Sequence, residues 1–146
     1  MKRLKSCGVI CFRRRASLEF LLMEHAHRLD WPKGHVLRGE TELECALREF
    51  EEETGILRDA IRLIPPFRHE DTYRTRYRRF GGETVEKTVV LFLGWLEETV
   101  TVVPTEHRSH RWIEWAPPHQ MQARAIDPAL EAVDLFWQGA GAHARL

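Results

Sequence analysis

The sequence predicts a single domain of the mixed α/β class. An amphipathic helix with an acidic face lies before its middle, short apolar runs typical of strands flank that helix, and a second capped helix follows near the end. With 146 residues, 43% of them hydrophobic and 30% charged, the chain has the size and composition of one ordinary globular domain. We therefore expect residues 1–146 to form one domain, with strands around a central helix.

The start of the chain predicts an antiparallel hairpin. Two short apolar runs, at residues 7–12 and 18–23, are separated by the basic turn sequence Arg-Arg-Arg-Ala-Ser. A loop through residues 30–34 then leads to the central helix.

The central helix has clear start and stop signals. It begins near Thr41, where Glu44 completes the spacing of a capping box, and it ends at Gly55. One of its faces carries an apolar stripe at helical spacing that would dock on a core: Leu43, Ala46, Leu47 and Phe50.

The neighbouring face of this helix is acidic. At about 100° per residue, Glu49, Glu52 and Glu53 fall within an arc of roughly 100°. Carboxylates this close repel one another, and a bound hard divalent cation such as Mg²⁺ would offset that repulsion. Arg48 lies four residues before Glu52, close enough to pair with it and orient it. The alternative interpretation is a solvated acidic face.

The second half of the chain predicts more strands and one more helix. The predicted strands are 61–64, then 67–80 as one long or two short strands, then 86–96 and 110–115. Pro65-Pro66 would close the first of these, Gly81-Gly82 would form a turn, and Pro117-Pro118 would follow the last. The continuous apolar run at 89–93 predicts a strand buried on both faces. We expect the final helix to have Asp127 as N-cap, Pro128 at its first position and Gly139 as its stop.

Residues 34–56 carry a complete signature that identifies a family. They match G-x5-E-x7-R-E-U-x-E-E-x-G-U, where U is a bulky apolar residue, and so resemble the Nudix hydrolases. The resemblance implies the Nudix fold, in which a mixed sheet is sandwiched between helices. It also implies hydrolysis of a nucleoside diphosphate linked to another group. By the same resemblance, Gly34, Glu49, Glu52 and Glu53 hold metal, and Arg48, Glu52 and Glu53 are catalytic.

The residues before the signature narrow the resemblance to one group of the family. The sequence Trp-Pro-Lys-Gly-His-Val at 31–36 is similar to the entrance segment of the diadenosine tetraphosphate hydrolases, the asymmetrical bis(nucleosyl)-tetraphosphatases. Nudix enzymes that act on RNA 5′ ends usually show Pro-Gln-Gly-Gly there. The resemblance implies that Lys33 and His35 contact phosphates, and an ammonium at this place can neutralise a polyphosphate oxygen. Read alone, Lys33 would be an ordinary loop lysine.

Three residues of the second half resemble functional positions of the same group. Tyr73 corresponds to a tyrosine that stacks on a base, Lys87 to a lysine that reaches the phosphates, and Glu106 to a glutamate that serves the metals or the attacking water. Their plainer interpretations are a sheet aromatic, a solvated strand end and a surface acid. The family's second stacking aromatic has no clear counterpart, and Trp31 or Tyr77 could take its place.

The run Tyr-Arg-Thr-Arg-Tyr-Arg-Arg-Phe at 73–80 is strongly basic. On a strand, its alternate arginines would share one face and its tyrosines the other. Basic and aromatic residues in alternation are also typical of surfaces that follow an RNA backbone. Because the formal net charge of the chain is zero, we favour a solvated hairpin that attracts a polyphosphate, and we do not expect nucleic acid as a partner.

The cysteines and the hydropathy pattern predict a cytoplasmic protein. Cys7 and Cys11 would lie roughly 13 Å apart on a strand, too far for a disulfide, and Cys45 lies in the central helix. We therefore expect all three to be reduced thiols. No apolar run approaches the roughly 20 residues of a membrane helix, and the basic N-terminus is not followed by a signal sequence.

These observations predict a metal-dependent enzyme that hydrolyses a dinucleoside polyphosphate. The expected reaction converts diadenosine tetraphosphate to ATP and AMP, with Mg²⁺ as cofactor and Mn²⁺ as a substitute. The same chemistry on an RNA 5′ end, a diphosphoinositol polyphosphate or a nucleoside triphosphate is the alternative, and a non-catalytic ligand sensor is a further one. Glu106 or Glu52 would accept the proton of water, and sequence leaves that choice, the number of metals and the oligomeric state open.

Overall fold

A computed structural model describes residues 1–97 and 109–139. In these residues the strands are β1 (Lys2–Arg14), β2 (Leu18–Glu24), β3 (Leu29–Asp30), β4 (Lys33–His35), β5 (Ile61–Arg76), β6 (Thr84–Leu96) and β7 (Ser109–Glu114). The helices are α1 (Glu42–Thr54) and α2 (Asp127–Gln138), with short 3₁₀ turns at Arg58–Ala60 and Arg78–Phe80. No helix in the described ranges is long and apolar enough to cross a membrane.

The strands form one mixed sheet between two helices. Its order is β3-β2-β1-β6-β5, with β4 paired to β1 and β7 paired to β2. The β1–β6 pair is parallel and the others are antiparallel. Helix α1 packs its buried residues, among them Phe50, against one side of the sheet, and α2 packs Leu130, Val133 and Trp137 against the other. The predicted mixed α/β Nudix-type fold is confirmed.

The first hairpin is confirmed, and the segment after it is more regular than predicted. The strands β1 and β2 are both longer than their apolar runs, because pairing with neighbours extends them into polar sequence. The predicted loop at 30–34 contains the ends of two short strands, β3 and β4. The backbone of β4 lies so close to β1 that a Cβ on Gly8 would come within 2.4 Å of Lys33 Cβ. Because β4 pairs with β1, far from it in sequence, the local hydrophobic periodicity does not indicate this short strand.

Helix α1 has the predicted caps. The Thr41 side chain accepts from the Glu44 backbone N–H, the Glu44 carboxylate accepts from the Thr41 N–H, and Gly55 ends the helix with φ 73°. The apolar stripe is confirmed except at Leu43, which is 38% exposed, while Cys45, directly before Ala46, is fully buried. The docking face is therefore turned slightly from the one that hydropathy alone indicates.

Strand β5 corrects the prediction of two separate strands. It continues through Pro65-Pro66, where the register with β6 shifts between Leu63 and Arg68. Proline cannot donate to a ladder, but β5 is an edge of the described sheet, where an irregularity of this kind is tolerated. The strand ends at Arg76, so Tyr77 and Arg78 do not share strand faces with Tyr73 and Arg74 as predicted. The turn at Gly81-Gly82 is confirmed, since both residues have positive φ.

The remaining elements largely follow the prediction. The strands β6 and β7 lie where expected, and within the run 89–93 only Phe92 is not fully buried. Gly139 ends α2, but Asp127 is the first helical residue rather than the N-cap, so Pro128 lies one position later than predicted. The Asp127 carboxylate instead accepts from the backbone N–H groups of Met121 and Gln122, at 2.9 and 3.1 Å, and so fastens the preceding loop.

Candidate active site

A cavity of about 390 Å³ gathers predicted site residues from three separate parts of the chain. The lining residues come from β4 (Lys33, Gly34, His35), α1 (Glu49, Glu52, Glu53) and β6 (Lys87), with Ser6, Arg28 and Asp30 beside them. The lining therefore has an acidic part, the three α1 glutamates (the acidic wall), and a basic part, Lys33, His35 and Lys87 (the basic wall). Glu106 lies outside the described residues.

Gly34 sets the distance between β4 and α1. A Cβ at this position would lie 2.1–2.3 Å from the carboxylate atoms of Glu49, so no other residue fits without displacing that carboxylate. The Gly34 carbonyl accepts from the Cys45 Sγ at 3.3 Å, which ties the strand to the helix behind the cavity. Burial raises the pKa of the Cys45 thiol, so this donor keeps its proton.

Arg48 fixes the loop before α1 and two of the acidic side chains. Its guanidinium donates to both oxygens of Glu40, at 2.6 and 3.0 Å, and to the His35 carbonyl at 3.0 Å. It also donates to Glu49 at 2.8 Å and, as the four-residue spacing predicts, to Glu52 at 3.2 Å. Hydrogen bonds from Arg48 and from the Leu37 N–H lower the pKa of Glu40 to about 2. Glu40 thus supports the loop and the helix.

The acidic wall offers a suitable donor set for a hard divalent cation. Carboxylate oxygens of Glu49, Glu52 and Glu53, with the carbonyl oxygen of Gly34, are the ligand type that Mg²⁺ prefers. Within the described ranges, no three His, Cys, Asp or Glu side chains converge closely enough to hold one ion directly. Arg48 holds Glu49, and the Lys33 backbone N–H donates to Glu53 at 3.1 Å. The residues nevertheless fit Mg²⁺, because this ion usually takes one or two carboxylates and keeps several waters.

The basic wall is held by a buried carboxylate that the sequence did not single out. Lys33 Nζ donates to Asp30 at 2.8 Å, and Asp30 is only 2% exposed. Lys87 is 7% exposed, and burial together with the nearby charge of Lys33 lowers its pKa to about 8. The two ammonium groups are therefore close enough to repel each other, and a polyphosphate between them would relieve that repulsion. Asp30 is missing from the sequence prediction because an acid three residues before a lysine is a common surface pattern.

His35 links the cavity to the basic turn after β5. Arg79 Nη2 lies 3.3 Å from His35 Nε2, and Ser6 Oγ lies 3.3 Å from His35 Nδ1. Because a guanidinium can only donate, Nε2 accepts, and Nδ1 carries the proton that goes to Ser6. Burial and the charges of Lys87 and Arg79 lower the pKa of His35, consistent with this neutral ring.

Tyr73 lies in a smaller pocket that adjoins the cavity. The two share Arg28, Asp30 and Lys33, and the Tyr73 ring is half-buried. The Arg124 guanidinium lies over this ring at 5.0 Å from its centroid. The group facing Tyr73 is therefore a planar cation rather than the second aromatic that the family offers. Because Arg124 lies 51 positions from Tyr73, no sequence pattern could join them.

The two predicted substitutes for the second aromatic, Trp31 and Tyr77, lie in different surroundings. Trp31 is 1% exposed and its Nε1 donates to the Ala125 carbonyl at 2.9 Å, so its faces are inside the core. Tyr77 packs edge-on against Phe80 at 6.0 Å in the turn after β5. The burial of Trp31 contradicts its suggested role as a stacking surface, while the suggested role of Tyr77 stays a prediction.

The chain is similar to known Nudix proteins over most of its length. The NUDIX domain family model matches residues 2–135. The asymmetrical bis(5′-nucleosyl)-tetraphosphatase of Mus musculus is 36% identical over 122 residues, which span 75% of this chain and 78% of the mouse protein. A crystal structure of a C. elegans Ap4A hydrolase binary complex superposes with a TM-score of 0.75 at 25% identity, covering 93% of this chain and 98% of that one.

A second similarity is local. The mRNA-decapping protein g5R of African swine fever virus is 44% identical over 58 residues, which make up 40% of this chain but only 21% of the viral protein. With the family model covering nearly the whole chain and the cavity built from the signature residues, this chain belongs to the Nudix family.

Proposed function

We propose that this protein is a metal-dependent Nudix hydrolase that cleaves diadenosine tetraphosphate asymmetrically into ATP and AMP. The observation that carries the proposal is that one cavity is lined both by the α1 carboxylates and by Lys33 and Lys87. The names of the mouse and nematode relatives support the same substrate class.

The acidic wall is the proposed cation site. Gly34, Glu49, Glu52 and Glu53 would hold Mg²⁺, with Mn²⁺ as a substitute. Bound there, the cation would lower the pKa of water and offset charge on the phosphates. Arg48 keeps Glu49 and Glu52 in orientation through its hydrogen bonds. Glu52, whose side chain is 59% exposed, or Glu106 accepts the proton from the attacking water.

The basic wall and the adjoining pocket are the proposed substrate contacts. Lys33, Lys87 and His35 bind the phosphate chain and stabilise charge on the leaving nucleotide. Tyr73 stacks on one base, in the pocket that shares Arg28 and Lys33 with the cavity. A dinucleoside polyphosphate would thus extend from the cavity into this pocket.

A cytoplasmic location completes the proposal. Cys7, Cys11 and Cys45 are free and buried, the state expected of thiols in a reducing compartment. The substrate is a small nucleotide, and one Nudix domain, residues 1–146, accounts for the activity.

Capped RNA is the second candidate substrate. The local similarity to the viral decapping protein favours it, as do the exposed arginines of β5 and the turn after it. Both substrates present a phosphoanhydride to the same wall of carboxylates.

Hydrolysis of a substrate panel with Mg²⁺ present tests the proposal. The panel contains diadenosine tri-, tetra- and pentaphosphate, capped RNA, ADP-ribose and an inositol pyrophosphate. We expect the highest kcat/KM on diadenosine tetraphosphate, with ATP and AMP as the products. A preference for capped RNA would select the second candidate, and inactivity on every dinucleotide would contradict the proposal.

A further inference from the structure

The turn after β5 holds one arginine, Arg79, in place through two aromatic rings and a histidine. The Arg79 guanidinium lies over the Tyr77 ring at 5.2 Å and over the Phe80 ring at 4.8 Å from the ring centroids. Its Nη2 also reaches His35 Nε2 at 3.3 Å. Within residues 1–97 and 109–139 no carboxylate forms an ion pair with Arg79, whereas Arg13 has one such pair and Arg48 has three.

This arrangement is unusual for an exposed arginine. A long charged side chain loses rotamer entropy when it is held, and a neutral imidazole is a weak partner for a cation. Two aromatic faces offset part of that loss through cation–π attraction, and this attraction uses none of the guanidinium N–H groups as hydrogen-bond donors. The side chain is thus preorganised for an anion that is not part of the described protein.

The position of Arg79 shows which anion it would meet. Its partner His35 lines the cavity that also contains Lys33 and Lys87. After burial and Lys33, the charge of Arg79 is among the influences that keep the pKa of Lys87 low, so the cations share one electrostatic environment. Neither Arg79 nor His35 lines the Tyr73 pocket.

We propose that Arg79 binds the polyphosphate chain of the substrate at the His35 rim of the cavity and thereby selects for long chains. Lys33 and Lys87 bind the phosphates inside the cavity, and Arg79 binds one that projects past His35. This inference rests on the proposed function for its substrate class, but not on which nucleosides the chain joins. A guanidinium is suited to this role because its fork of donors can bind two oxygens of one phosphate.

Inorganic polyphosphates test the contact without relying on catalysis. Calorimetry in EDTA compares pyrophosphate, tripolyphosphate and tetraphosphate on the wild type, on Arg79→Ala and on Arg79→Lys. The matched control is Arg78→Ala, since Arg78 is an exposed neighbour whose side chain, within the described residues, contacts neither the rings nor His35.

The expected result is a loss that grows with chain length. Arg79→Ala should weaken binding of the two longer chains roughly tenfold and of pyrophosphate little, which is the effect of one charge-assisted hydrogen bond. Arg79→Lys should recover part of the loss, and Arg78→Ala should match the wild type. An equal loss on all three chains would overturn the proposal, because Arg79 would then act only by positioning His35. Equal affinity of Arg79→Ala and the wild type would overturn it as well.

The kinetic arm separates this inference from the proposed function. Arg79→Ala should raise KM for diadenosine tetra- and pentaphosphate, leave kcat nearly unchanged and leave ADP-ribose unaffected. If the wild-type protein does not hydrolyse dinucleoside polyphosphates, the proposed function is contradicted. The dependence of binding affinity on polyphosphate chain length would still test the role of Arg79. A drop in kcat with unchanged KM would count against the contact.

Discussion

Glu53 shows at the scale of a single residue how the cavity is prepared for a cation. Its carboxylate accepts the Lys33 backbone N–H at 3.1 Å, so β4 holds one of its oxygens. A glutamine can still accept that hydrogen bond, but it lacks the negative charge that the proposed cation site requires.

We therefore predict that Glu53→Gln lowers kcat roughly a thousandfold or more, about 4 kcal/mol in activation free energy. The melting temperature should change little, because the N–H keeps an acceptor and carboxylate repulsion falls. Steady-state kinetics at saturating Mg²⁺, with differential scanning fluorimetry on the same sample, check both parts. Near wild-type turnover would remove Glu53 from the metal site.

Lys87 predicts a pH dependence of substrate binding. Its pKa of about 8 lies below the ordinary 10.5, so it loses its charge as pH rises through 8 in the substrate-free protein. KM for diadenosine tetraphosphate should therefore rise between pH 7 and 9.5. Lys87→Arg, which stays charged over this range, should show a flatter profile. Identical profiles of the two proteins would assign the dependence to another group.

The lowered pKa of Lys87 also determines how this residue changes the free energy of unfolding with pH. Between pH 8 and 10.5 the unfolded chain binds the Lys87 proton more tightly than the folded one, so this residue makes the free energy of unfolding rise with pH. The stabilisation from Lys87 is fully present above pH 10.5, the pKa in the unfolded chain. It is lost as pH falls through about 8, the pKa in the folded protein.

Tyr73 is the residue that we propose to stack on a base of the substrate. Tyr73→Ala should cost roughly 1–3 kcal/mol of binding for dinucleoside polyphosphates, and Tyr73→Phe should be nearly silent. Inositol pyrophosphates have no base and should bind both variants alike. Circular dichroism must first show that Tyr73→Ala is folded, because the ring also packs against the core. A folded alanine variant with unchanged affinity would exclude Tyr73 from base recognition.

At the scale of elements, α1 was predictable because its signals are local. Thr41, Glu44 and Gly55 lie within one stretch of sequence and each satisfies backbone groups of the helix itself. The bounds of β5 could not be predicted in this way, because the length of the strand depends on its pairing with β6. From the local sequence, Pro65-Pro66 indicates the end of a strand, yet β5 continues through it. Likewise, the Arg79–His35 contact joins residues 44 positions apart. Local chemistry predicts elements and motifs, while edges, bulges and contacts between cavity walls depend on the whole sheet.

The capping box gives a prediction at this scale. Thr41→Ala removes the side-chain acceptor of the Glu44 N–H and should lower the free energy of unfolding by about 1 kcal/mol. Thr41→Ser keeps the hydroxyl and serves as the matched control. Urea denaturation measures the difference, and kcat should be unchanged, because the cap is at the opposite end of α1 from Glu53. A large fall in kcat with intact stability would show that the cap also sets the catalytic geometry.

At the scale of the molecule, the residues that form the core are different from those that we propose for catalysis. Two apolar clusters, one under each helix, form the core, and the proposed cation site lies in the cavity beside α1. EDTA should therefore abolish hydrolysis while lowering the melting temperature by only a few degrees, as expected for the loss of one modest ligand. Activity should return with Mg²⁺ and with Mn²⁺. Loss of the near-UV circular dichroism spectrum in EDTA would instead show that the ion is structural.

The parallel pair of β1 and β6 makes completion of the sheet a late event in folding. Every residue of β1 from Lys2 to Arg13 pairs with a partner 83 positions further along the chain, a separation that slows the search for native contacts. A growing chain that ends after α1 already contains the whole acidic motif, but one edge of its first strand is still open. Lys87 arrives on the strand that closes this edge. In a nascent chain, Lys87 therefore joins the acidic residues in one cavity only when this long-range pairing forms, and the onset of hydrolysis should report that the sheet has closed.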